Sequence, residues 1–306
     1  HDKRYKFIIC AALPLLPAAV IAKNSGIGQF LIYDSHELYV EQRVYGWTKK
    51  FVLYVYEKVC LKYVDFSFSV SSEAAKFLSH VYKETRPFDW ISNAPKSIEV
   101  RPDAPDLRVD VGARGDDVVV LFHGGITPGR GLETLLEGIG LTGRKDLHLV
   151  LLGYGAPPYL DSLRASFDNK NIHFMKPVPQ NDLLSYIRNV DFVAIPYPPV
   201  DHNHRNATPN KLYDCIEMSI PVLFHSGLET ISKEIGTGVF AIPLDFTNAK
   251  TLAAGLGKVC RANHRELESE VSILRKKFGW NTQAERYEKW IRNFEKGDFK
   301  SGANII

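Results

Sequence analysis

Cysteine is scarce in this chain: there are four in 306 residues, Cys10, Cys60, Cys215 and Cys260, with no C-x-x-C pair among them. Each falls in an apolar strand or helix pattern, so four buried free thiols are expected rather than disulfides, which favours a reducing cytoplasm. Surplus charge is also lacking, since 38 Lys and Arg stand against 35 Asp and Glu for a net +3. That balance argues against nucleic acid as a partner. It is compatible with anionic substrates, or with loose peripheral attraction to an acidic membrane surface, although no basic amphipathic helix stands out in the sequence. Internal repeats and low-complexity tracts are missing, and so is the G-x-G-x-x-G dinucleotide fingerprint.

A comfortable membrane span is missing too. The apolar run from Phe7 to Ala22 falls short of about 20 residues and is interrupted by Pro14 and Pro17. Its basic prelude, Lys3-Arg4-Tyr5-Lys6, gives it the outline of a signal peptide or anchor. The favoured reading is a buried strand, Phe7–Ala12, turning into a helix, Pro14–Lys23. The chain opens on His1 rather than Met, and on this reading earlier strands of the first domain lie outside it.

What the chain does have is an alternation of strands and helices, the pattern of parallel α/β sheets. In the first third, strands are expected at Phe7–Ala12, Gln29–Tyr33 and Phe66–Val70, with helices at Pro14–Lys23, Trp47–Tyr63 and Ser72–Tyr82. The pattern then breaks over Asn93–Asp117, rich in Pro, Asp and Arg, which reads as an interdomain crossing. A second alternation follows. Strands are expected at Val118–Phe122, His148–Leu152, Ile172–Met175, Phe192–Ile195, Pro221–Phe224 and Gly238–Ile242. Helices are expected at Arg130–Gly140, Pro158–Phe167, Gln180–Arg188, Pro209–Met218, Glu229–Ile235 and Asn248–Arg261. Two more helices flank Phe278-Gly279-Trp280. The expected domains are 1–94, a linker at 95–117, 118–264, and C-terminal helices over 265–306.

The segment with most chemistry is ATPNKLYDCIEMSIPVLFH, Ala207–His225, which follows the apolar run Asp191–Pro196. Pro209 suits a first helical turn and Thr208 a cap. A helix starting at the carboxyl end of a strand turns its positive end and spare amides toward an anion. Lys211 adds a full charge there. Asp214, one turn on, is placed to accept hydrogen bonds from a sugar hydroxyl. Phosphate and sugar together suggest a nucleotide sugar.

Other loops at strand ends support the same crevice. In His123-Gly-Gly-Ile-Thr-Pro-Gly-Arg-Gly131, Gly124 and Gly125 allow close backbone approach, and Arg130 offers a planar fork for a diphosphate. Leu151-Leu-Gly-Tyr-Gly155 supplies Gly153 and Tyr154 at the next strand end, and such loops converge in open α/β sheets. The plain alternative is a pair of tight βα turns. His36, in Asp34-Ser-His-Glu, ends a first-domain strand. There it is either a structural hydrogen bonder or a group for substrate contact and proton transfer. His202 and His204 would face the same way in an extended segment, but no further metal ligands accompany them. A mobile polar loop is therefore expected, with no metal. Asn206-Ala-Thr208 also spells a glycosylation sequon, which a cytoplasmic location makes coincidental.

Together, YDSHELY, the Asn93-Ala94-Pro95 exit, GRGLETLLEGI, LLGYG, PNKLYDCIEMSIPV and FGWNTQAERYEKWI resemble the retaining glycosyltransferases of the family 4 type (glycosyl transferases group 1). The resemblance covers nearly the whole chain. It implies the GT-B architecture, α/β with two facing Rossmann-like domains, and a last helix folding back toward the first domain. It further implies transfer of a sugar from a nucleotide-diphosphate sugar to a glycan or lipid-linked acceptor in polysaccharide assembly, with retention and no cofactor or essential metal. On that basis His36, Arg130 and Lys211 are the catalytic candidates. Gly124, Gly125, Gly153, Tyr154, Asn206, Thr208, Pro209, Asn210 and Asp214 are the donor-binding ones. The chain departs from the family where the paired acids read Asn206 and Asp214, where Cys10-Ala-Ala-Leu13 replaces a histidine-rich turn, and at Gly125, often arginine in relatives. The small-residue turn after the helix also differs, reading Glu217-Met218-Ser219. Two alternatives remain: a sugar-nucleotide epimerase of the same fold and a non-catalytic donor-binding homologue.

Overall fold

The structure, a computed structural model, describes residues 5–42, 44–83, 85, 87–96, 106–261 and 264–295. In chain order the first third contains β1 (Tyr5–Cys10), α1 (Leu16–Asn24), β2 (Gly28–Ser35), α2 (Trp47–Leu61), β3 (Phe66–Ser69), α3 (Ser72–Val81) and β4 (Asp89–Trp90). Then come α4 (Leu107–Asp110), β5 (Val118–Gly125), α5 (Leu132–Leu141), β6 (Leu147–Tyr154), α6 (Pro157–Ser166), β7 (Ile172–Met175) and α7 (Gln180–Arg188). The rest comprises β8 (Phe192–Ile195), α8 (His202–Arg205), α9 (Asn210–Met218), β9 (Val222–His225), β10 (Ala241–Leu244), α10 (Ala249–Leu256), α11 (His264–Phe278) and α12 (Trp280–Glu295). A π-helical turn occupies Ile231–Ile235.

The chain divides into two compact units. Unit 1 takes His1–Asn93, Val200–Thr208 and Gln283–Ile306; unit 2 takes Ala94–Pro199 and Pro209–Thr282.

Unit 1 is built on the parallel sheet β1-β2-β3-β4. Its core packs Leu13, Leu16, Leu31, Tyr33, Leu61, Leu78 and Tyr82, while α12 lays Trp290 against Phe66 and Phe68. The expected buried first strand is instead an edge strand, with Tyr5 58% and Ile9 60% exposed. Among the described residues it pairs with β2 alone, at one edge of the sheet. Ser71 caps α3 by accepting from the Ala74 amide.

Unit 2 is built on the six-stranded parallel sheet β10-β9-β8-β5-β6-β7. β5, β6 and β8 are buried nearly throughout, and their continuous Val, Leu and Ile runs are those of strands covered on both faces. Within the stretch expected to be an irregular crossing, α4 forms a short helix. Asp106 caps it, Leu107 is fully buried, and Arg108 binds the Asp191 carboxylate at 2.7 Å. Residues 97–105 of that stretch lie outside the described residues.

Helix α10 stops at Leu256, short of the expected Arg261. Two glycines weaken its end, and the Arg144 guanidinium takes the Leu256 and Val259 carbonyls. Cys260 then lies in irregular chain and is exposed, against the expectation of burial. Cys10, Cys60 and Cys215 are buried, and all four thiols are free. Among the described residues no helix is long and apolar enough to cross a membrane.

Candidate functional site

The order of strands in unit 2 reverses between β5 and β8. From β5 the chain steps out through β6 to β7, and from β8 it steps out through β9 to β10. Open parallel sheets bind ligands beyond the carboxyl ends of the strands at such a reversal. Glycines make this end compact. Gly124 lies opposite Gly153 in register and Gly125 opposite Tyr154. A Cβ on Gly153 would stand 1.8 Å from the Gly124 carbonyl oxygen, so no larger residue fits. Gly131 starts α5 in the left-handed region (φ 74°), and a Cβ there would meet the Pro196 carbonyl at 2.1 Å.

Two cations converge on this point. Lys211, in the first turn of α9, is only 5% exposed. Its Nζ donates to the His123 carbonyl at 2.7 Å and lies 4.0 Å from the Phe122 ring centroid and 4.8 Å from that of Tyr197. The Arg130 guanidinium lies 4.8 Å from the same Tyr197 ring and is itself exposed. Tyr197 was not among the sequence candidates. Its only signal is its position two residues beyond β8, on the strand that flanks β5.

Charge in this cluster carries the marks of burial. Desolvation lowers the Lys211 pKa, and the Arg130 charge nearby acts in the same direction. Burial also holds the His123 ring neutral, with its pKa lowered to about 3, and its Nε2 is buried without a hydrogen-bond partner. Asp214, 6% exposed, is raised to about 6 because burial outweighs the attraction of the Lys211 ammonium. None of α5, α6 and α9, which begin at this end of the sheet, carries a side-chain cap, so their positive ends face outward uncovered by their own side chains.

Gly124, Gly125, Gly153, Tyr154, Arg130, Pro209, Asn210, Lys211 and Asp214 thus all belong to unit 2, and the first strands, α5 and α9 gather them at its switch point. Tyr154 is 67% exposed, and a Cβ on Gly125 would stand 3.9 Å from its ring. The expected Thr208 cap does not form. Pro209, in extended conformation (φ −64°, ψ 145°), takes the cap position, and the buried Thr208 hydroxyl has no partner.

The remaining candidates, His36, Asn206 and Thr208, belong to unit 1. His36 Nε2 lies 3.3 Å from the Asp34 carboxylate, and this hydrogen bond raises the imidazole pKa. A small cavity of about 90 Å³ beside Asp34 is lined also by Ile9, Ile32, Phe68, Asn93 and Tyr287. The expected extended loop carrying His202 and His204 is the helical turn α8, which swings the two rings about 200° apart. Asp201 caps it, accepting from the His204 amide at 2.8 Å and pairing with that residue's Nδ1 at 2.6 Å. His202 stacks on Phe77. No group of three or more metal-ligating side chains occurs among the described residues. Asn206 donates its amide to the His202 carbonyl at 2.8 Å.

Two parallel α/β units, one with a strand-order reversal at its centre, define a GT-B-type fold with Rossmann-like domains. The chain matches no protein-family model and no curated protein. Solved structures share its fold. Sucrose-phosphate synthase from Thermosynechococcus elongatus aligns with a TM-score of 0.74 at 14% identity, over 96% of this chain and 74% of that one. HepE of Anabaena, in complex with UDP and glucose, aligns with a TM-score of 0.70 at 14% identity, over 94% and 78%. A Listeria monocytogenes protein named as a UDP-N-acetylglucosamine 2-epimerase gives 0.62 at 15% identity, over 98% and 77%.

Proposed function

We propose that this chain is a glycosyltransferase that moves a sugar from a nucleotide-diphosphate sugar to a glycan or lipid-linked acceptor, with retention of anomeric configuration. The observation that carries the reading is the pair of cations, Arg130 and Lys211, held on Tyr197 at the switch point of unit 2. A buried ammonium there is costly until an anion compensates it. A donor diphosphate would take both charges, the Gly124–Gly125 amides and the start of α9 near Pro209 and Asn210. As the leaving group it would develop charge where these dipoles already point. Asp214 is assigned the ribose hydroxyls, and Gly153 and Tyr154 the nucleoside side of the same crevice. Asn206 and Thr208 are assigned to the donor by resemblance, and His36, polarised by Asp34, to the transferred sugar. By the resemblance this chemistry runs without an essential metal, Arg130, Lys211 and the start of α9 meeting the charge of the leaving diphosphate.

The HepE complex with UDP and glucose supports the donor class, and the sucrose-phosphate synthase likeness supports transfer. Two observations favour other outcomes. The fold is shared with the Listeria protein named as an epimerase, which would consume donor without acceptor. The Asn206 amide is engaged with His202 where the family places an acid, which favours a donor-binding protein without turnover.

A panel of nucleotide-diphosphate sugars, screened by thermal shift, should contain one that stabilises the protein by mass action. Lys211→Met keeps the apolar stem and removes the charge, and should weaken that binding about 10- to 100-fold, the range of a charge-assisted hydrogen bond. Stabilisation by no member of the panel overturns the donor reading. Unchanged affinity in Lys211→Met overturns the role of Lys211. Product analysis with donor alone separates transfer from epimerisation.

A further inference from the structure

Outside the switch point, the most unusual surface belongs to α2. Its sequence, WTKKFVLYVYEKVCL, is apolar or aromatic at so many positions that no single face is evident from the pattern. The structure separates the faces. Glu57, Cys60 and Leu61 turn into unit 1. Trp47 (80% exposed), Phe51 (59%), Val52 (58%), Val55 (41%) and Val59 (50%) turn out, and Tyr63 (46%) extends the row just beyond the helix. At 100° per residue these six cover an arc of about 160°, along a helix about 22 Å long. Six large apolar side chains exposed along one side of a helix are unusual on a surface that stays in water.

Charge on the outward side of the helix is of one sign. Lys58 and Lys62 fall within the apolar arc, and Lys49 and Lys50 lie at its N-terminal margins. The one acidic residue of α2, Glu57, is 1% exposed, and both its carboxylate oxygens accept hydrogen bonds inside the unit, from the Tyr33 and Tyr82 hydroxyls. The charged side chains of the outward face are therefore lysines, set among aromatic and aliphatic side chains and the exposed Thr48. Lysine stems lie along apolar surface while their ammonium groups reach for anionic headgroups, and tryptophan favours the boundary between acyl chains and water. At 15 residues the helix is too short to span a bilayer.

We propose that α2 is an interfacial helix that lays unit 1 on an anionic lipid surface, with Trp47 and Phe51 entering the headgroup boundary. The sequence pattern alone does not single out this helix. Lipid binding by α2 goes beyond the sugar-transfer reading and is measured without donor or acceptor, so either can fail alone.

The test is flotation of the full chain with vesicles of pure phosphatidylcholine and of phosphatidylcholine with 30% (about one lipid in three) phosphatidylserine. Binding to the anionic vesicles is expected to be at least about 10-fold stronger and to weaken with salt. Lys58→Gln with Lys62→Gln should reduce it about 25-fold, about 5-fold per lysine. Phe51→Ser should abolish it with unchanged circular dichroism and melting, since that side chain is already in water. Brominated acyl chains should quench the fluorescence that Trp47→Phe removes. Absence of binding, or equal binding to both vesicles, overturns the proposal. So does concentration-dependent self-association that Phe51→Ser removes while vesicles are ignored, which would assign the face to a second copy of the chain.

Discussion

Asp214→Asn should make the protein more stable and the donor bind more weakly. The carboxyl is 6% exposed and its pKa stands at about 6 against an ordinary 3.8. The folded state thus holds its proton more tightly than the unfolded chain. Stability from this group is full below about pH 4 and is lost as pH rises through 6. Two pKa units at about 1.4 kcal/mol each put the loss on the order of 2–3 kcal/mol at neutral pH. Asparagine, close in shape and always neutral, avoids that loss, so the variant should gain about that much at pH 7.5 and almost nothing at pH 4. The same change removes the charged acceptor assigned to the ribose hydroxyls and should cost about 10- to 100-fold in donor affinity. Denaturant unfolding of both proteins from pH 4 to 7.5, beside calorimetry with the donor, checks both signs. A variant that is less stable at neutral pH would mark Asp214 as a structural carboxylate and refute the reasoning. So would a stability difference that does not change with pH.

Gly153→Ala would place a Cβ 1.8 Å from the Gly124 carbonyl oxygen, so the β5–β6 pairing must part where the diphosphate is expected. A loss of about 3 kcal/mol or more, or failure to fold, should follow in a thermal melt, whereas an unaffected melt contradicts the close approach of the two strands. In unit 1, burial pushes Glu57 up to about 7 from an ordinary 4.5. Its stabilising neutral form is therefore complete below about pH 4.5 and lost through pH 7, and Glu57→Gln should gain on the wild type by up to about 3 kcal/mol between those limits in pH-dependent unfolding. A flat difference would show that the Tyr33 and Tyr82 hydroxyls already hold the anion.

Much of this was legible because long, strongly patterned segments leave few choices. The buried runs at Val118–Phe122 and Phe192–Ile195 read as parallel strands, and the glycine pairs after them as close turns. The places of Arg130, Lys211 and Asp214 at this end of the sheet were legible for the same reason, since they lie at fixed offsets from those strand ends. What escaped depended on neighbours distant in sequence. Tyr197 is one aromatic among many until β8 is seen beside β5. The cap at Thr208 failed because the extended conformation of Pro209 moves the helix start by one residue. β4 is two residues long and has no period to read. α8 looked extended because four residues cannot display a helical period, and the Asp201 carboxylate that stabilises the turn acts through the His204 amide. The exposed apolar side of α2 was hidden for the opposite reason, an excess of apolar residues on both sides.

On the proposed donor reading, the shifts at the switch point favour one orientation of the donor over the other. Burial is the leading cause of the lowered Lys211 and of the raised Asp214, so each is relieved by a different kind of neighbour. A phosphate beside Lys211 would restore its charge. The same phosphate beside Asp214 would drive the carboxyl pKa higher still, because two anions would share a site from which water is excluded. A hydroxyl beside Asp214 has the reverse effect, since a donated hydrogen bond favours the carboxylate. Lys211 and Asp214 are three residues apart on α9, a rise of about 4.5 Å. A diphosphate and a ribose joined by one ester linkage are separated by a comparable distance. The electrostatically consistent pose therefore sets the diphosphate over the first turn of α9, between Arg130 and Lys211, and the ribose one turn further along. The reversed pose would leave the ammonium uncompensated and add a second anion next to a carboxyl that is already costly to ionise.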